Sequence, residues 1–260
     1  MRLAGKVAIV AGAGSVGPGW GNGRATAVRF AQEGASVFAV DKDPAKLKET
    51  LEKAPGLKTH ICDLLDSKAV AAMVQACVSA FGKVDVLVNA IGGSAPGGPV
   101  EMSEAAWDAQ FDFNLKSVFL GCKHVLPVME RQGAGAIVSI SSSSGIRFTG
   151  AHQIAYSAAK AGVIQFSRAL AVQVAPKGIR VNTVVPGQLH TPMVEARLAR
   201  QRAGGDVEAL LKQRLQRIPL GFAGDGRDTA NAALFLASQE ARFVTGTEIV
   251  VDGGMTVRCD

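Results

Sequence analysis

The chain of 260 residues lacks most of the features that mark membrane, secreted or metal-binding proteins. No apolar run approaches the length of a membrane-spanning helix, and the apolar segment at the N-terminus is too short for a signal peptide. Cysteine occurs four times without a CxxC pair or a regular spacing, at Cys62, Cys77, Cys122 and Cys259. This pattern argues against a disulfide framework or a structural metal site. We therefore expect a cytoplasmic protein with free thiols and no bound metal.

Aromatic residues are also scarce, at 5% of the chain, and no basic run is interleaved with them. The net charge of +6 is therefore not expected to serve nucleic-acid binding. A hydrophobic fraction of 48% with 19% charged residues is typical of a globular protein, and no proline-rich or polar linker divides the chain. These features predict a single domain over residues 1–260.

Tyrosine occurs once, as Tyr156, and it lies four residues before Lys160 in a segment that favours a helix. Side chains at this spacing share one helix face, so the ammonium can approach the phenol. A nearby cation favours the phenolate, and lowering its pKa by about three units needs roughly 4 kcal/mol of differential stabilisation. Tyr156 could then exchange a proton with a substrate oxygen near neutral pH. Taken alone, such a pair is most often an ordinary exposed one.

A predicted buried strand over residues 136–140 precedes this helix and ends in four serines. With these residues the chain resembles the classical short-chain dehydrogenase/reductase family. The resemblance implies catalytic roles for Ser142, Tyr156 and Lys160, and for Asn114 in the sequence FNLKS, which would help to hold a water near the lysine. Ser142 would donate a hydrogen bond to the substrate oxygen.

Ser143 is the alternative to Ser142. The family most often has thirteen residues from serine to tyrosine, which selects Ser143. The strand ending ISS and the spacing to Gly145 select Ser142.

A second group of residues predicts a dinucleotide site. The apolar run from Val7 to Ala11 is followed by glycines, a helix and a second strand that ends at Asp41, which is the arrangement of a nucleotide-binding βαβ unit. Asp41 would accept hydrogen bonds from the adenosine ribose and repel a 2′-phosphate, which favours NAD as cofactor over NADP. Lys42 weakens this preference, because a basic residue there can meet a phosphate.

The glycine loop departs from the family pattern T-G-x-x-x-G-x-G. Ala11 replaces the threonine, and the loop is five residues longer between its first and second glycines. We assign Gly12, Gly21 and Gly23 to the pattern, because the first helix then has the family's length. The alternative register begins at Gly17.

The resemblance implies further cofactor contacts at strand ends and in one loop. They are Asp63 and Leu64 beside the adenine, Asn89 and Gly92 after the fourth strand, and Pro186, Gly187 and Thr191 in the nicotinamide loop. The resemblance also implies that Tyr156 and Lys160 contact the cofactor, with Lys160 holding ribose hydroxyls. Asp63 and Thr191 could instead be helix caps.

Alternating strands and helices predict an α/β fold with a doubly wound, Rossmann-type, mostly parallel sheet of seven strands and helices on both faces. The segment 103–131 is predicted to be one long helix, and 193–217 to be part of a substrate lid at about 190–220. By resemblance we expect a homotetramer, with the helices around Asn114 and Tyr156 packed against symmetry mates.

The implied function is NAD-dependent interconversion of a secondary alcohol and a ketone. One alternative is a 3-oxoacyl thioester reductase, acting on acyl carrier protein or CoA substrates and using NADPH. A second alternative is a dinucleotide-binding regulator without turnover, although such a protein has no need of Tyr156, Lys160 and Asn114 together.

An anionic substrate is one hypothesis, because several cationic side chains come from segments that border the pocket in this family. They are Arg147, His152 and His190, with Arg197, Arg200, Arg202, Lys212, Arg214 and Arg217 in the lid. Arg147 or a lid arginine could bind a carboxylate, sulfonate or phosphate through two parallel bonds. Alternatively, the lid charges form a solvated helix face and the histidines are neutral pocket walls.

Overall fold

The computed structural model describes residues 1–198, 204 and 206–259. Within these residues, seven strands form one parallel sheet in the order β3-β2-β1-β4-β5-β6-β7. The strands are β1 (Val7–Ala11), β2 (Ser36–Asp41), β3 (Lys58–Ile61), β4 (Val86–Asn89), β5 (Gly135–Ile140), β6 (Ile179–Pro186) and β7 (Glu248–Val251). The order runs outward from β1 on one side and from β4 on the other. This is the predicted Rossmann-type, doubly wound sheet.

Helices cover both faces of this sheet. They are α1 (Asn22–Gln32), α2 (Pro44–Lys53), α3 (Ser67–Phe81), α4 (Glu104–Phe111), α5 (Ser117–Gln132), α6 (Ile154–Val174), α7 (Val207–Leu215) and α8 (Gly226–Ala237). Ile9 and Ile137 belong to the core beneath α3, α5 and α6, whereas Val10 and Val138 belong to the core beneath α1, α2 and α8. Successive strand side chains point to opposite faces, and both faces are buried. The central strands are therefore continuous apolar runs.

The segment predicted to be one helix over 103–131 is helical from Glu104 to Gln132, with one π-helical turn inside it. Ser103 caps α4, since its Oγ accepts a hydrogen bond of 3.2 Å from the Ala106 N–H. A single π-helical turn, Asp112–Lys116, then separates α4 from α5. Such wide turns are frequent at functional sites. The turn contains Asn114, so the predicted helix is present but is widened at a predicted site residue.

The predicted lid is described only in part. A π-helical turn covers Val194–Leu198, and α7 follows after a gap; Arg200 and Arg202 lie outside the described residues. Leu210 of α7 packs with Val194 and Leu198 in a small apolar cluster. Across the described chain, no helix is long and apolar enough to cross a bilayer.

Candidate active site

A cleft of about 330 Å³ opens where the strands end. Its lining includes the last residues of three strands, Asp41 of β2, Ile140 of β5 and Pro186 of β6, and it also includes Tyr156 of α6. The strand order reverses between β1 and β4, and the chain leaves these two strands in opposite directions there. This is the position at which doubly wound sheets bind ligands.

The glycine loop between β1 and α1 turns within this cleft. Gly12 has a φ of 84°, which favours glycine, and a Cβ atom on Gly23 would lie 1.8 Å from the Gly12 carbonyl oxygen. Gly21 immediately precedes α1 as its N-cap residue. Gly12, Gly21 and Gly23 all line the cleft, whereas Gly17 does not. The geometry therefore favours the predicted register over the one that begins at Gly17.

The longer glycine loop is held by Arg24, which sequence reasoning missed. This side chain is 0% exposed, and its guanidinium donates to the carbonyl oxygens of Gly17 at 3.2 Å and Gly19 at 2.9 Å. It also forms an ion pair of 2.6 Å with Glu49 and donates to the Thr50 hydroxyl at 3.2 Å. Burial lowers the pKa of Arg24, although the Glu49 carboxylate raises it. A buried, multiply bonded arginine gives the extra residues a defined shape.

This loop also reaches the segment that follows β6. Cβ atoms on Gly17 and Gly19 would each lie 3.5 Å from the Pro192 side chain, an ordinary contact distance. Pro192 directly follows Thr191, and both line the cleft. The glycine loop and the start of the predicted lid therefore share a border.

Asp41 is fixed at the end of β2 by two backbone groups. Its carboxylate accepts a hydrogen bond of 3.1 Å from the Gly14 N–H and another of 3.1 Å from the Asp43 N–H. Lys42 and Lys46 line the same cleft, and Lys46 forms an ion pair of 3.2 Å with Asp43. Charges of both signs are thus present at the end of the cleft where the adenosine is expected.

Asp63 and Leu64, after β3, also line the cleft. The Asp63 carboxylate accepts a hydrogen bond of 3.0 Å from the Leu65 N–H, which fixes the turn. The N-cap of α3 is Asp66, whose carboxylate accepts from the Lys68 N–H at 2.8 Å. The alternative role of Asp63 as a cap of this helix is therefore wrong.

Lys160 and Tyr156 lie together, as the helix spacing predicted. The Lys160 ammonium is 5.9 Å from the centre of the Tyr156 ring, and it donates to the carbonyl oxygens of Ile140 at 2.9 Å and Ile91 at 3.3 Å. Lys160 is 2% exposed, and this burial lowers its pKa to about 8. The lysine therefore supplies a desolvated cation beside a half-buried phenol.

Asn114 lies behind this pair and is fully buried. Its Nδ2 donates to the carbonyl oxygens of Gly93 at 3.1 Å and Gln110 at 2.9 Å, and its Oδ1 accepts from the Gly93 N–H at 3.1 Å. A Cβ atom on Gly92 would lie 2.8 Å from the Lys160 Nζ and 3.2 Å from the Asn114 Oδ1. Gly92 thus allows both side chains to approach the chain beyond β4. Asn114 itself is not part of the cleft lining.

All four serines that follow β5 line the cleft, but they have different partners. The Ser141 hydroxyl donates to the Lys160 carbonyl oxygen at 2.7 Å. The Ser142 Oγ accepts a bond of 3.2 Å from the Ser144 N–H, so its own proton remains free to be donated. Ser142 is half-buried and Ser143 is 2% exposed. These positions favour Ser142 as the serine that a ligand can reach.

Asn89 does not reach the cleft. Its side chain is buried in the core, where its Nδ2 donates to the Ser139 Oγ at 3.3 Å. A Cβ atom on Gly121 of α5 would lie 2.6 Å from the Asn89 Oδ1. The side chain therefore links β4 to β5 beneath α5. This location does not support the predicted cofactor contact.

The predicted nicotinamide loop begins at the end of β6. Pro186, Gly187 and Thr191 all line the cleft. A Cβ atom on Gly187 would lie 2.5 Å from the Asp252 Cβ, so glycine allows the chain after β6 to pass the chain after β7. The structure places all three predicted residues at the cleft.

None of the three cationic candidates outside the lid lines the cleft. Arg147 donates to the carbonyl oxygens of Thr256 and Arg258, so its guanidinium binds the C-terminal segment. The His152 side chain is exposed. The His190 Nε2 lies 2.9 Å from a carboxylate oxygen of Glu195. Their predicted role in substrate binding is not supported, because short sequence distance to Ser142 and Tyr156 does not set the direction of a loop side chain.

Instead, polar side chains that are hydrogen-bonded to one another or to the backbone line the cleft together with Ser142. The Gln153 Nε2 donates to the Ser144 Oγ at 2.8 Å, and this oxygen lies 3.1 Å from the Thr149 Oγ1. The Gln188 Nε2 donates to the Thr149 carbonyl oxygen at 3.0 Å. These side chains line the cleft, and so does Arg214 of α7. The only sequence signal for Gln188 was its position inside the P-G-x-x-x-T motif.

No group of potential metal ligands occurs among the described residues. Cys62, Cys77 and Cys122 are free and buried, and Cys259 is free and exposed. Burial raises the pKa of Cys62 to about 11, with smaller contributions from Asp63 and Asp66. The buried thiols are therefore poor nucleophiles at neutral pH.

The chain is similar in sequence and in fold to known oxidoreductases. The family model described as enoyl-(acyl carrier protein) reductase matches residues 17–256. The 3-oxoacyl-[acyl-carrier-protein] reductase FabG of Thermotoga maritima is 39% identical over 261 residues, which cover 99% of this chain and 100% of that protein. The 2,5-dichloro-2,5-cyclohexadiene-1,4-diol dehydrogenase LinX of Sphingobium indicum is 39% identical over 260 residues, or 98% of each protein. A solved structure from Burkholderia xenovorans, described as that of a short-chain dehydrogenase/reductase, is 60% identical, with a TM-score of 0.96 over 100% of this chain and 99% of that one.

Proposed function

Since the chain belongs to the short-chain dehydrogenase/reductase family, whose members are NAD(P)-dependent oxidoreductases, we propose that it interconverts a secondary alcohol and a ketone with NAD. One observation carries this proposal. Ser142, Tyr156 and Lys160 line the same cleft as Asp41, although Asp41 ends β2 and Ser142 follows β5 on the other side of the sheet's centre. A proton-transfer site and a nucleotide-binding site thus share a single space.

The residues of the cleft fit a dinucleotide. A Cβ atom on Gly14 would lie 2.6 Å from the Asp41 carboxylate, so the bare glycine backbone forms a cradle beside the acid. In this proposal Asp41 binds the adenosine ribose, Gly12, Gly21 and Gly23 allow the pyrophosphate to approach the N-terminus of α1, and the cofactor is NAD. Bound NAD supplies a hydride acceptor, and NADH a hydride donor.

Asp63 and Leu64 would border the adenine, and Gly92, Pro186, Gly187 and Thr191 would border the nicotinamide half. This assignment follows the strand after which each residue lies, β3 on one side of the sheet and β4 and β6 on the other.

Tyr156 is the proposed acid/base. On oxidation, its phenolate takes the proton from the substrate hydroxyl, and on reduction its phenol returns a proton to the carbonyl oxygen. The Lys160 ammonium favours the phenolate, because a cation in a desolvated site acts through little screening. Ser142 donates a hydrogen bond to the same substrate oxygen. Asn114 is the proposed fourth member, which keeps the chain beyond β4 in place beside Lys160.

A second candidate is reduction of a 3-oxoacyl thioester with NADPH. It is favoured by the similarity to FabG and by Lys42 and Lys46, which could bind a 2′-phosphate beside Asp41. Initial rates with NAD(H) and NADP(H) should be compared on secondary alcohols, cyclic and linear ketones, and acetoacetyl-CoA. Preferred NAD-dependent turnover of simple alcohols or ketones supports the first proposal. Preferred NADPH-dependent reduction of the thioester selects the second, and no hydride transfer to any of them contradicts both.

We also propose that the enzyme is a cytoplasmic homotetramer. Each subunit would consist of one domain over residues 1–260. The free cysteines are consistent with a reducing compartment. Apolar side chains on α5 and α6 are exposed in the single chain, among them Phe119 at 46% and Val172 at 77%. Light scattering should therefore give four times the chain mass, and a monomeric mass would exclude the assembly.

A further inference from the structure

The cations that line the cleft lie in three places. Lys42 and Lys46 follow β2 near Asp41, Lys160 lies beside Tyr156, and Arg214 comes from α7 in the predicted lid. The acidic residues of the described lining, Asp41 and Asp63, follow β2 and β3, at the end proposed for adenosine. Arg214 therefore brings a positive charge to the part of the cleft that remains for the substrate.

The register of α7 turns Arg214 inward. Leu210 lies one turn before Arg214 on the same helix face, and it packs against Val194 and Leu198. Arg214 is accordingly 7% exposed. On the same helix Lys212 is exposed.

Arg217, beyond the end of α7, is directed elsewhere. It is half-buried, and its guanidinium donates to the Thr149 carbonyl oxygen at 2.8 Å. Among the basic lid side chains that the structure describes, Arg214 is thus the one that lines the cleft.

Gln188 provides a second, independent sign of a polar ligand. Its Nε2 donates to the Thr149 carbonyl oxygen, and this bond identifies its Oε1 as an acceptor. Gln188 is 6% exposed, and this Oε1 has no hydrogen-bond partner among the described residues. Buried acceptors are almost always bonded to protein, water or ligand. Because Gln188 and Arg214 line the same cleft, a ligand there is expected to offer a hydrogen-bond donor to the Gln188 Oε1 and an anionic group to the Arg214 guanidinium.

We propose that the substrate is a hydroxy or oxo carboxylate whose carboxylate binds Arg214. This inference rests on the proposed alcohol–ketone activity and adds the substrate class to it. A planar carboxylate matches the fork of a guanidinium, which can donate two parallel bonds to it. Met193 and Leu198, which also line the cleft, offer apolar contacts to the carbon chain. Binding of the remote carboxylate would orient the carbinol carbon for hydride transfer.

The test compares acids with their neutral amides. Values of kcat/KM are measured with NAD for 3-hydroxybutanoate and 4-hydroxypentanoate, and for the corresponding amides, in the wild type, Arg214→Met, Arg214→Lys and Lys212→Met. We expect the wild type to favour an acid over its amide. Arg214→Met should lower this ratio by roughly tenfold to a hundredfold, as expected for a lost charge-assisted hydrogen bond. Arg214→Lys should retain part of the preference, and the exposed Lys212 should not affect it.

A merely structural role of Arg214 gives a different result. If Arg214→Met lowers kcat/KM for acids and amides by the same factor, or if the wild type does not discriminate between them, the inference is wrong. A stronger preference for a matched sulfonate would also overturn the assignment of a carboxylate.

If none of these compounds is turned over, binding of the same acids to the enzyme–NAD complex is measured by calorimetry. Carboxylate binding that disappears in Arg214→Met supports the inference even if the alcohol–ketone activity fails. Equal binding to both proteins, or no binding to the wild type, overturns it.

Discussion

Gly23 lies so close to Gly12 that a Cβ atom on Gly23 would be 1.8 Å from the Gly12 carbonyl oxygen. This atom is backbone, so the clash cannot be relieved by a side-chain rotation. Gly23→Ala should therefore displace the loop, weaken NAD binding at least tenfold, and lower the free energy of unfolding by about 1–3 kcal/mol. Fluorescence titration with NADH and urea unfolding measure the two effects. Gly17→Ala in the same loop is the control, because its nearest contact would be 3.5 Å from Pro192; equal effects of the two substitutions would contradict the prediction.

Tyr156→Phe removes the hydroxyl that carries the proton and leaves the ring in place. We expect kcat/KM to fall at least a hundredfold, which corresponds to about 3 kcal/mol of transition-state stabilisation. Circular dichroism and the Kd for NADH should change little, because the substitution removes a single oxygen atom. Near-normal turnover would show that another group transfers the proton.

Lys160 should give the stability of the protein a specific pH dependence. Burial lowers its pKa from 10.5 to about 8, so between these values the unfolded chain binds a proton that the folded chain does not. Stability therefore rises with pH in this window, by about 3 kcal/mol in total. The variant Lys160→Met lacks this titrating group and therefore lacks the rise. The free energy of unfolding of the variant minus that of the wild type should therefore fall by about 3 kcal/mol from about pH 7 to about pH 10.5. Urea unfolding over this range measures the difference, and Lys212→Met, at an exposed site, should show no such trend.

Asp41→Asn tests the proposed cofactor preference. An asparagine oxygen can still accept the bond from the Gly14 N–H, whereas the negative charge that repels a 2′-phosphate is lost. The ratio of kcat/KM for NAD to that for NADP should decrease by roughly tenfold or more. Asp66→Asn is the control, because Asp66 caps α3 and does not line the cleft. A wild type that prefers NADP would show that Lys42 and Lys46 outweigh Asp41.

Local patterns in the sequence predicted the parts of the site that depend on one element. The contact between Tyr156 and Lys160 follows from helical spacing, and the position of Asp41 follows from the end of a buried strand. The sheet was predictable for the same reason, since its strands are short apolar runs bounded by glycine or charged residues. The strand predicted over residues 136–140 is present as β5, Gly135–Ile140.

Features that depend on distant contacts were not predicted. The sequence does not show that Asn89 bonds to Ser139 across two strands, or that Arg147 bonds to the C-terminal segment. Arg24 likewise has its role only because α2 brings Glu49 to the glycine loop. The direction of Arg214 depends on which face of α7 packs against Leu198, and a segment rich in charged residues gives little indication of this face.

Gly17 and Gly19 lie so near Pro192 that a Cβ atom on either would be 3.5 Å from its ring, and this limits how the enzyme can be redesigned. The extra residues of the loop that is proposed to bind the cofactor form one surface with the first residues of the proposed lid. A side chain larger than alanine, introduced at either glycine to alter cofactor choice, would therefore press on Pro192 in the wall of the proposed substrate site. Engineering the two specificities will require joint libraries that vary the loop and Pro192 together, because the best residue on one side depends on the residue chosen on the other.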